Sequence, residues 1–77
     1  MNSEVNETIA QLLDKASTNA ERTIALQQLG EVLEEDYILN LPPQRPILNA
    51  LKIITARTTV EVAINLKAKR LLKEYGL

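Results

Sequence analysis

The sequence predicts an all-α domain of four helices arranged as two helical hairpins, without a β-sheet. Three observations lead to this prediction. The segment 46–57 is apolar around most of a helix circumference, which is typical of a buried helix. The pattern T-x-x-E, which opens helices, occurs at 18–21 and at 58–61. A proline-containing elbow at 40–46 divides the chain between them.

We expect the first hairpin to consist of helices at about 3–16 and 18–39. Apolar residues of the first helix recur at spacings of three and four, as on one helix face: Val5, Ile9, Leu12, Leu13 and Ala16. Thr18 and Glu21 fit the capping box that opens the second helix. Gly30 lies inside that helix and costs about 1 kcal/mol relative to alanine. It therefore indicates either a bend or the close crossing of another helix.

We expect the second hairpin to consist of helices at about 43–57 and 58–75. Pro43 and Pro46 both suit the first turn of the third helix, where the missing N–H has no intrahelical partner. The apolar third helix is predicted to be central in the bundle. Thr58 to Glu61 predicts a capped fourth helix, and one bent helix over 46–75 is the alternative. Gly76 is expected to adopt the left-handed conformation that ends a helix.

The two hairpins share the pattern A-x-T-x-x-E, at 16–21 and again forty residues later at 56–61. Two helical hairpins at such a period resemble a pair of HEAT-type repeats. The expected architecture is therefore either HEAT-like or a simple helical bundle.

Composition argues against most kinds of chemistry. The 77 residues are enough for a single domain and include no cysteine, no histidine and only two glycines. The usual catalytic base, the thiol nucleophile and the glycine-rich phosphate loop are therefore missing. We expect no enzymatic activity, no catalytic residues, no cofactor and no metal. The acidic, polar N-terminus lacks the features of a secretory signal, so we expect a cytoplasmic protein.

Charge is divided unevenly along the chain. Residues 1–40 carry eight acidic and two basic side chains, and residues 41–77 carry seven basic and two acidic ones. Such an asymmetry is a feature in its own right. One explanation is that the two halves complement each other within the fold. The other is that a basic surface is offered to an acidic partner.

Two charged surfaces are candidate sites. Opposite its predicted core face, the fourth helix carries a basic strip, defined as Val62, Leu66, Lys69, Arg70 and Lys73. We interpret the basic strip as partner-binding. The alternative is that its two aliphatic residues pack on the first or second helix while its bases are only solvated. The second possible contact surface is acidic and lies near the C-terminal end of the second helix, which is unfavourable for the helix dipole: Glu31, Glu34, Glu35 and Asp36.

These features favour a non-enzymatic protein–protein interaction module, a small adaptor or regulatory protein. Its expected partner is another protein or a second copy of itself, without membrane insertion, because no apolar run approaches the roughly 20 residues of a membrane helix. The first alternative is a nucleic-acid-binding transcriptional regulator that uses the bases of the fourth helix. The acidic overall composition speaks against that alternative.

A third alternative comes from the residues around the elbow. The segments 37–42 and 46–49, YILNLP and PILN, are similar to the junction of the second and third helices in bacteriocin-immunity proteins. Those proteins are small cytosolic antiparallel helical bundles, usually larger and more basic than this chain. The resemblance implies a protein of the bacteriocin-immunity type.

Overall fold

The computed structural model describes residues 3–76, and within that range it contains four α-helices and no strand. The helices are α1 (Ser3–Leu13), α2 (Asn19–Ile38), α3 (Arg45–Ala56) and α4 (Val62–Tyr75). Helices α1 and α2 form one hairpin, and α3 and α4 form the other. The predicted all-α fold of two hairpins is confirmed, and the hairpins pack as a small bundle.

The two hairpins are joined by contacts of α1 with α3 and of α2 with α4. Arg57, just after α3, donates a 2.7 Å hydrogen bond to the carbonyl of Leu13 at the end of α1, so these two helices end side by side. Gly30 of α2 lies against Leu71 of α4, and Tyr37 meets Tyr75 one to two turns further along both helices. Helices α2 and α4 therefore run parallel.

All four helices contribute to one aliphatic core. Its buried members are Val5, Leu12, Ala25, Leu26, Leu29, Leu33, Ile47, Ala50, Leu51, Ile54, Val60, Ile64 and Ala68. The prediction that the third helix is central is wrong. Helix α3 packs mainly on α1 and α4, and Ile53 on its outer side is 45% exposed. Helix α3 thus carries more apolar surface than the bundle buries.

The first hairpin has the predicted cap but a shorter first helix. The Glu21 amide donates to the Thr18 hydroxyl over 3.1 Å, and the Thr18 amide donates to the Glu21 carboxylate over 2.8 Å. This reciprocal pair confirms the capping box. Helix α1 ends at Leu13 rather than near residue 16, because the amide of Ala16 donates to the Asp14 carboxylate instead of continuing the helical ladder.

The second T-x-x-E pattern does not cap a helix, so that prediction is wrong. Helix α4 begins at Val62, with Glu61 as an N-cap that makes no side-chain hydrogen bond. Residues 57–61 instead form a turn that buries Val60, and Asn65 holds this turn by donating to the carbonyl of Arg57 over 3.2 Å. This turn, rather than a helix start at Thr58, leads into α4. It also separates α3 from α4, so the single bent helix is wrong.

The left-handed backbone conformation that was expected at Gly76 occurs instead in the elbow after α2, at Asn40. Asn40 has φ of 60°, a conformation that asparagine tolerates well, whereas Gly76 has φ of −84°. The expectation for Gly76 is therefore wrong. Helix α3 starts at Arg45 with Pro46 in its first turn, so Pro46 holds the predicted position and Pro43 lies before the helix.

Gly30 marks a close helix crossing. A Cβ atom placed there would lie 3.4 Å from a terminal carbon of Leu71, which is ordinary van der Waals contact. Helix α4 therefore passes close to Gly30 but leaves room for a methyl group there.

Candidate interaction surface

The basic strip of α4 faces outward along its whole length. Val62 is 69% exposed and Leu66 is 56% exposed, while Lys69, Arg70 and Lys73 are also exposed. The inward side of α4 is formed by Ile64 and Ala68, both buried. The structure thus brings the five strip residues onto one free helix face, and Val62 and Leu66 do not pack into the core.

The strip forms because its residues follow the helical repeat. Successive members are separated by three or four positions, or are direct neighbours, and such positions share one side of a helix. Lys73 lies in the last turn of α4, where a cation interacts favourably with the helix dipole. The bases therefore suit their local position.

The predicted acidic surface on α2 is only partly available. Glu31, Glu34 and Glu35 are exposed. Asp36 is half-buried and accepts a 3.2 Å hydrogen bond from the Gln44 side chain, so that it helps to hold the elbow. Three of the four predicted acids remain on the surface, and Asp36 is engaged within the fold.

In the part of the chain that the structure describes, the acids of α2 and the bases of α4 do not pair with each other. Within residues 3–76, no ion pair joins an acid of α2 to a base of α4, although the two helices pack together. The core between them is instead aliphatic. The division of charge along the chain is therefore not explained by salt bridges between these two helices.

Sequence reasoning missed an apolar surface at the end of α2. Tyr37, Ile38, Leu39 and Leu41 are 71%, 70%, 59% and 52% exposed. The Tyr37 ring meets the edge of the Tyr75 ring at a centroid distance of 6.1 Å and an angle of 70°. The signal that could have pointed to this surface is the group of four apolar residues within 37–41, directly after the acids at 34–36.

Tyr75 borders a shallow cavity of about 210 Å³ beside Leu33, Tyr37 and Leu41. Loss of hydration raises the pKa of Tyr75 above its ordinary value, and the carboxylates of Glu74 and Glu34 raise it further. The phenol therefore stays neutral over a wider pH range than a free tyrosine. The cavity wall also includes Glu74.

Two arginines close the C-terminal end of α1. Arg22 is buried and donates to the carbonyls of Asp14 and Lys15 over 3.1 and 3.4 Å. Arg57 donates to the carbonyl of Leu13. Carbonyls at the end of a helix lack intrahelical partners, so both guanidinium groups have a structural role at this end. This role could not be predicted from the sequence, because the three segments meet only in the fold.

Other kinds of site find no support in the part of the chain that the structure describes. Within residues 3–76, no three acidic side chains come together as ligands for a metal ion. No helix in the same range combines the length and the apolar character needed to cross a membrane.

The chain matches no known protein family, and neither a curated protein nor a solved structure shows a significant similarity to it.

Proposed function

We propose that this chain is a non-enzymatic protein-interaction module that binds its partner through the basic strip of α4. The observation that supports this proposal is the exposure of Val62 and Leu66 in line with three exposed bases on one helix face. Aliphatic side chains gain about 1.5–3 kcal/mol each when they are fully buried. Covering this face would therefore stabilise a complex.

The bases of the strip define the chemistry of the partner. Lys69, Arg70 and Lys73 follow the two aliphatic residues along α4, so a matching surface carries acids next to an apolar patch. Complementary charges speed association and select between partners more than they add affinity. We therefore expect the partner to be an acidic, amphipathic protein surface and the complex to be sensitive to salt.

A retention experiment with a matched control tests this proposal. The strip variant carries Lys69→Glu, Arg70→Glu and Lys73→Glu, and the control carries Lys15→Glu, Arg45→Glu and Lys52→Glu at exposed positions outside the strip. Both variants change the net charge equally. Immobilised wild-type protein and the two variants are exposed to lysate of the native organism, and the retained proteins are identified by mass spectrometry.

We expect the control to retain the same proteins as the wild type and the strip variant to lose them. Circular dichroism should show equal helix content in all three, because the substituted side chains are exposed. Retention of the same proteins by the strip variant would contradict the proposal.

Nucleic acid is the second candidate partner, because three exposed basic side chains on one helix face would also suit phosphate groups. In helix-turn-helix proteins, the N-terminal end of the recognition helix contacts the edges of the DNA base pairs. The corresponding end of α4 presents Glu61, and Val60 before it is buried. A carboxylate at that position repels the phosphate backbone. A retarded DNA or RNA band that disappears with added salt would favour this candidate, whereas we expect no retardation.

A further inference from the structure

Helix α2 carries a face that complements the basic strip. We define this acidic face as Glu31, Glu34, Glu35 and Ile38. These residues occupy positions i, i+3, i+4 and i+7 of α2, so they share one side of the helix. All four are exposed, with Ile38 at 70%. The face thus contains three acids followed by one aliphatic residue.

Four residues of the basic strip have the same spacing in the reverse chemical order. Leu66, Lys69, Arg70 and Lys73 also occupy positions i, i+3, i+4 and i+7. When the two helices are laid antiparallel, Ile38 lies opposite Leu66 and Glu31 lies opposite Lys73. The neighbouring acids Glu34 and Glu35 then lie opposite the neighbouring bases Lys69 and Arg70. Every charge meets its opposite, and the aliphatic residues meet each other.

This pairing cannot form within one molecule. Helices α2 and α4 of a single chain run parallel and touch through Gly30 and Leu71 and through Tyr37 and Tyr75. The acidic face and the basic strip are both on the outer sides of their helices. An antiparallel contact between them therefore requires a second molecule.

We propose that the acidic face of one copy binds the basic strip of a second copy, with α2 and α4 antiparallel. This inference rests on the proposed function, because it uses the same strip, and it names the partner. Antiparallel packing also places the C-terminal, negative end of α2 next to the N-terminal, positive end of the partner's α4. The two exposed faces thus complement each other in charge and match in spacing.

The size of the contact predicts a weak association. Seven residues of helix extend about 10 Å, so the paired faces are smaller than the roughly 800 Å² per partner of a standard stable interface. Because the two faces lie on different helices, each contact leaves one face of each kind free. Such head-to-tail contacts close into rings or continue to add copies. We expect the average mass to rise with protein concentration and to fall with added salt.

Sedimentation velocity on the full chain tests this inference, from about 10 μM to about 1 mM protein at ionic strengths of about 0.02 and 0.5 M, which bracket weak and strong screening. One variant carries Glu31→Lys, Glu34→Lys and Glu35→Lys, so both of its faces are basic. The other carries Lys69→Glu, Arg70→Glu and Lys73→Glu, so both of its faces are acidic. Each variant alone should associate at least about tenfold more weakly than the wild type.

An equimolar mixture of the two variants should restore association, because each basic face then meets an acidic one. The apolar pair is tested by Ile38→Ser, with Ile24→Ser as the matched control. Ile24 is 52% exposed on the same helix but lies outside the paired stretch. We expect Ile38→Ser to weaken association and Ile24→Ser to leave it unchanged.

Three results would overturn the inference: a wild-type monomer at every concentration, association of either variant alone that is as strong as that of the wild type, or a mixture that associates no more strongly than each variant alone. These failures are distinct from failure of the proposed function. If the wild type is monomeric but still retains other proteins through the basic strip, only the proposal that the partner is a second copy is contradicted. If the strip variant still retains the same proteins and still self-associates, both proposals are contradicted.

Discussion

Leu26 of α2 and Leu51 of α3 test whether the core depends on both hairpins equally. Both side chains are fully buried. Truncating a buried leucine to alanine removes its contacts and leaves a cavity, which typically costs 2–5 kcal/mol, on the order of the values measured in other proteins. A domain of this size has about 3–5 kcal/mol of total stability. We therefore expect Leu26→Ala and Leu51→Ala each to remove most of it, and by amounts that agree within about 1 kcal/mol.

Urea denaturation followed by circular dichroism at a low temperature measures these losses. A small domain has a denaturant slope of about 1 kcal/mol per M urea, so each variant should lower the midpoint by roughly 2–5 M. Because such a shift brings the midpoint close to zero, the measurement is made in a stabilising osmolyte. Ile53→Ala on α3 is the matched control, since Ile53 is 45% exposed. Its loss should stay below about 1 kcal/mol.

Two results would refute this reasoning. If Leu51→Ala strongly lowers the free energy of unfolding and Leu26→Ala hardly changes it, α3 is the central helix, as its composition predicts. Nearly unchanged midpoints for both variants would mean that the thirteen-residue aliphatic core is not what holds the bundle together.

Two further predictions follow from the α2–α4 contact. Gly30→Ala should raise the free energy of unfolding by up to about 1 kcal/mol in the same urea assay, because the added Cβ would lie 3.4 Å from Leu71; a lowered midpoint would mean that Leu71 cannot accommodate it. Ultraviolet absorbance of the Tyr37→Phe variant should show Tyr75 ionising above its ordinary pKa. Because the pKa of Tyr75 is raised in the folded state, the folded chain holds the phenol proton more tightly than the unfolded chain does. The contribution of this group to the free energy of unfolding is therefore fully present below the unfolded pKa and is lost as the pH rises through the folded pKa. A Tyr75 pKa at its ordinary value would contradict this prediction.

The helix pattern could be predicted from the sequence, but the local role of each signal could not. The T-x-x-E pattern at Thr18 caps α2 through both of its hydrogen bonds. The same pattern at Thr58 caps nothing, because residues 57–61 form a turn, to which Asn65 is bound through the Arg57 carbonyl, and α4 begins only at Val62. Capping depends on local residues only where tertiary packing makes no other demand on the backbone. That demand is not visible in a single sequence.

The same limit applies to the candidate site. The basic strip could be predicted because helical periodicity alone decides which residues share its face. The contact of Tyr37 with Tyr75 and the capping of α1 by Arg22 and Arg57 could not, because they depend on which helices are neighbours. Nor could the hydrogen bond that Asp36 of the predicted acidic surface accepts from Gln44, because it depends on how the elbow folds back onto α2.

The placement of the acids on α2 favours a partner outside the molecule. Glu34 and Glu35 lie within about one turn of the C-terminal end of α2, where a carboxylate is unfavourable by about 0.3–1 kcal/mol, and Glu31 lies one turn earlier. Within residues 3–76, no base of α4 forms an ion pair with them. Ile38 beside them is exposed and adds little to the core. For a fold with only about 3–5 kcal/mol of stability, such a face is a net cost to the isolated chain, and the reversed pattern of aliphatic and basic residues on α4 is the surface that would offset it.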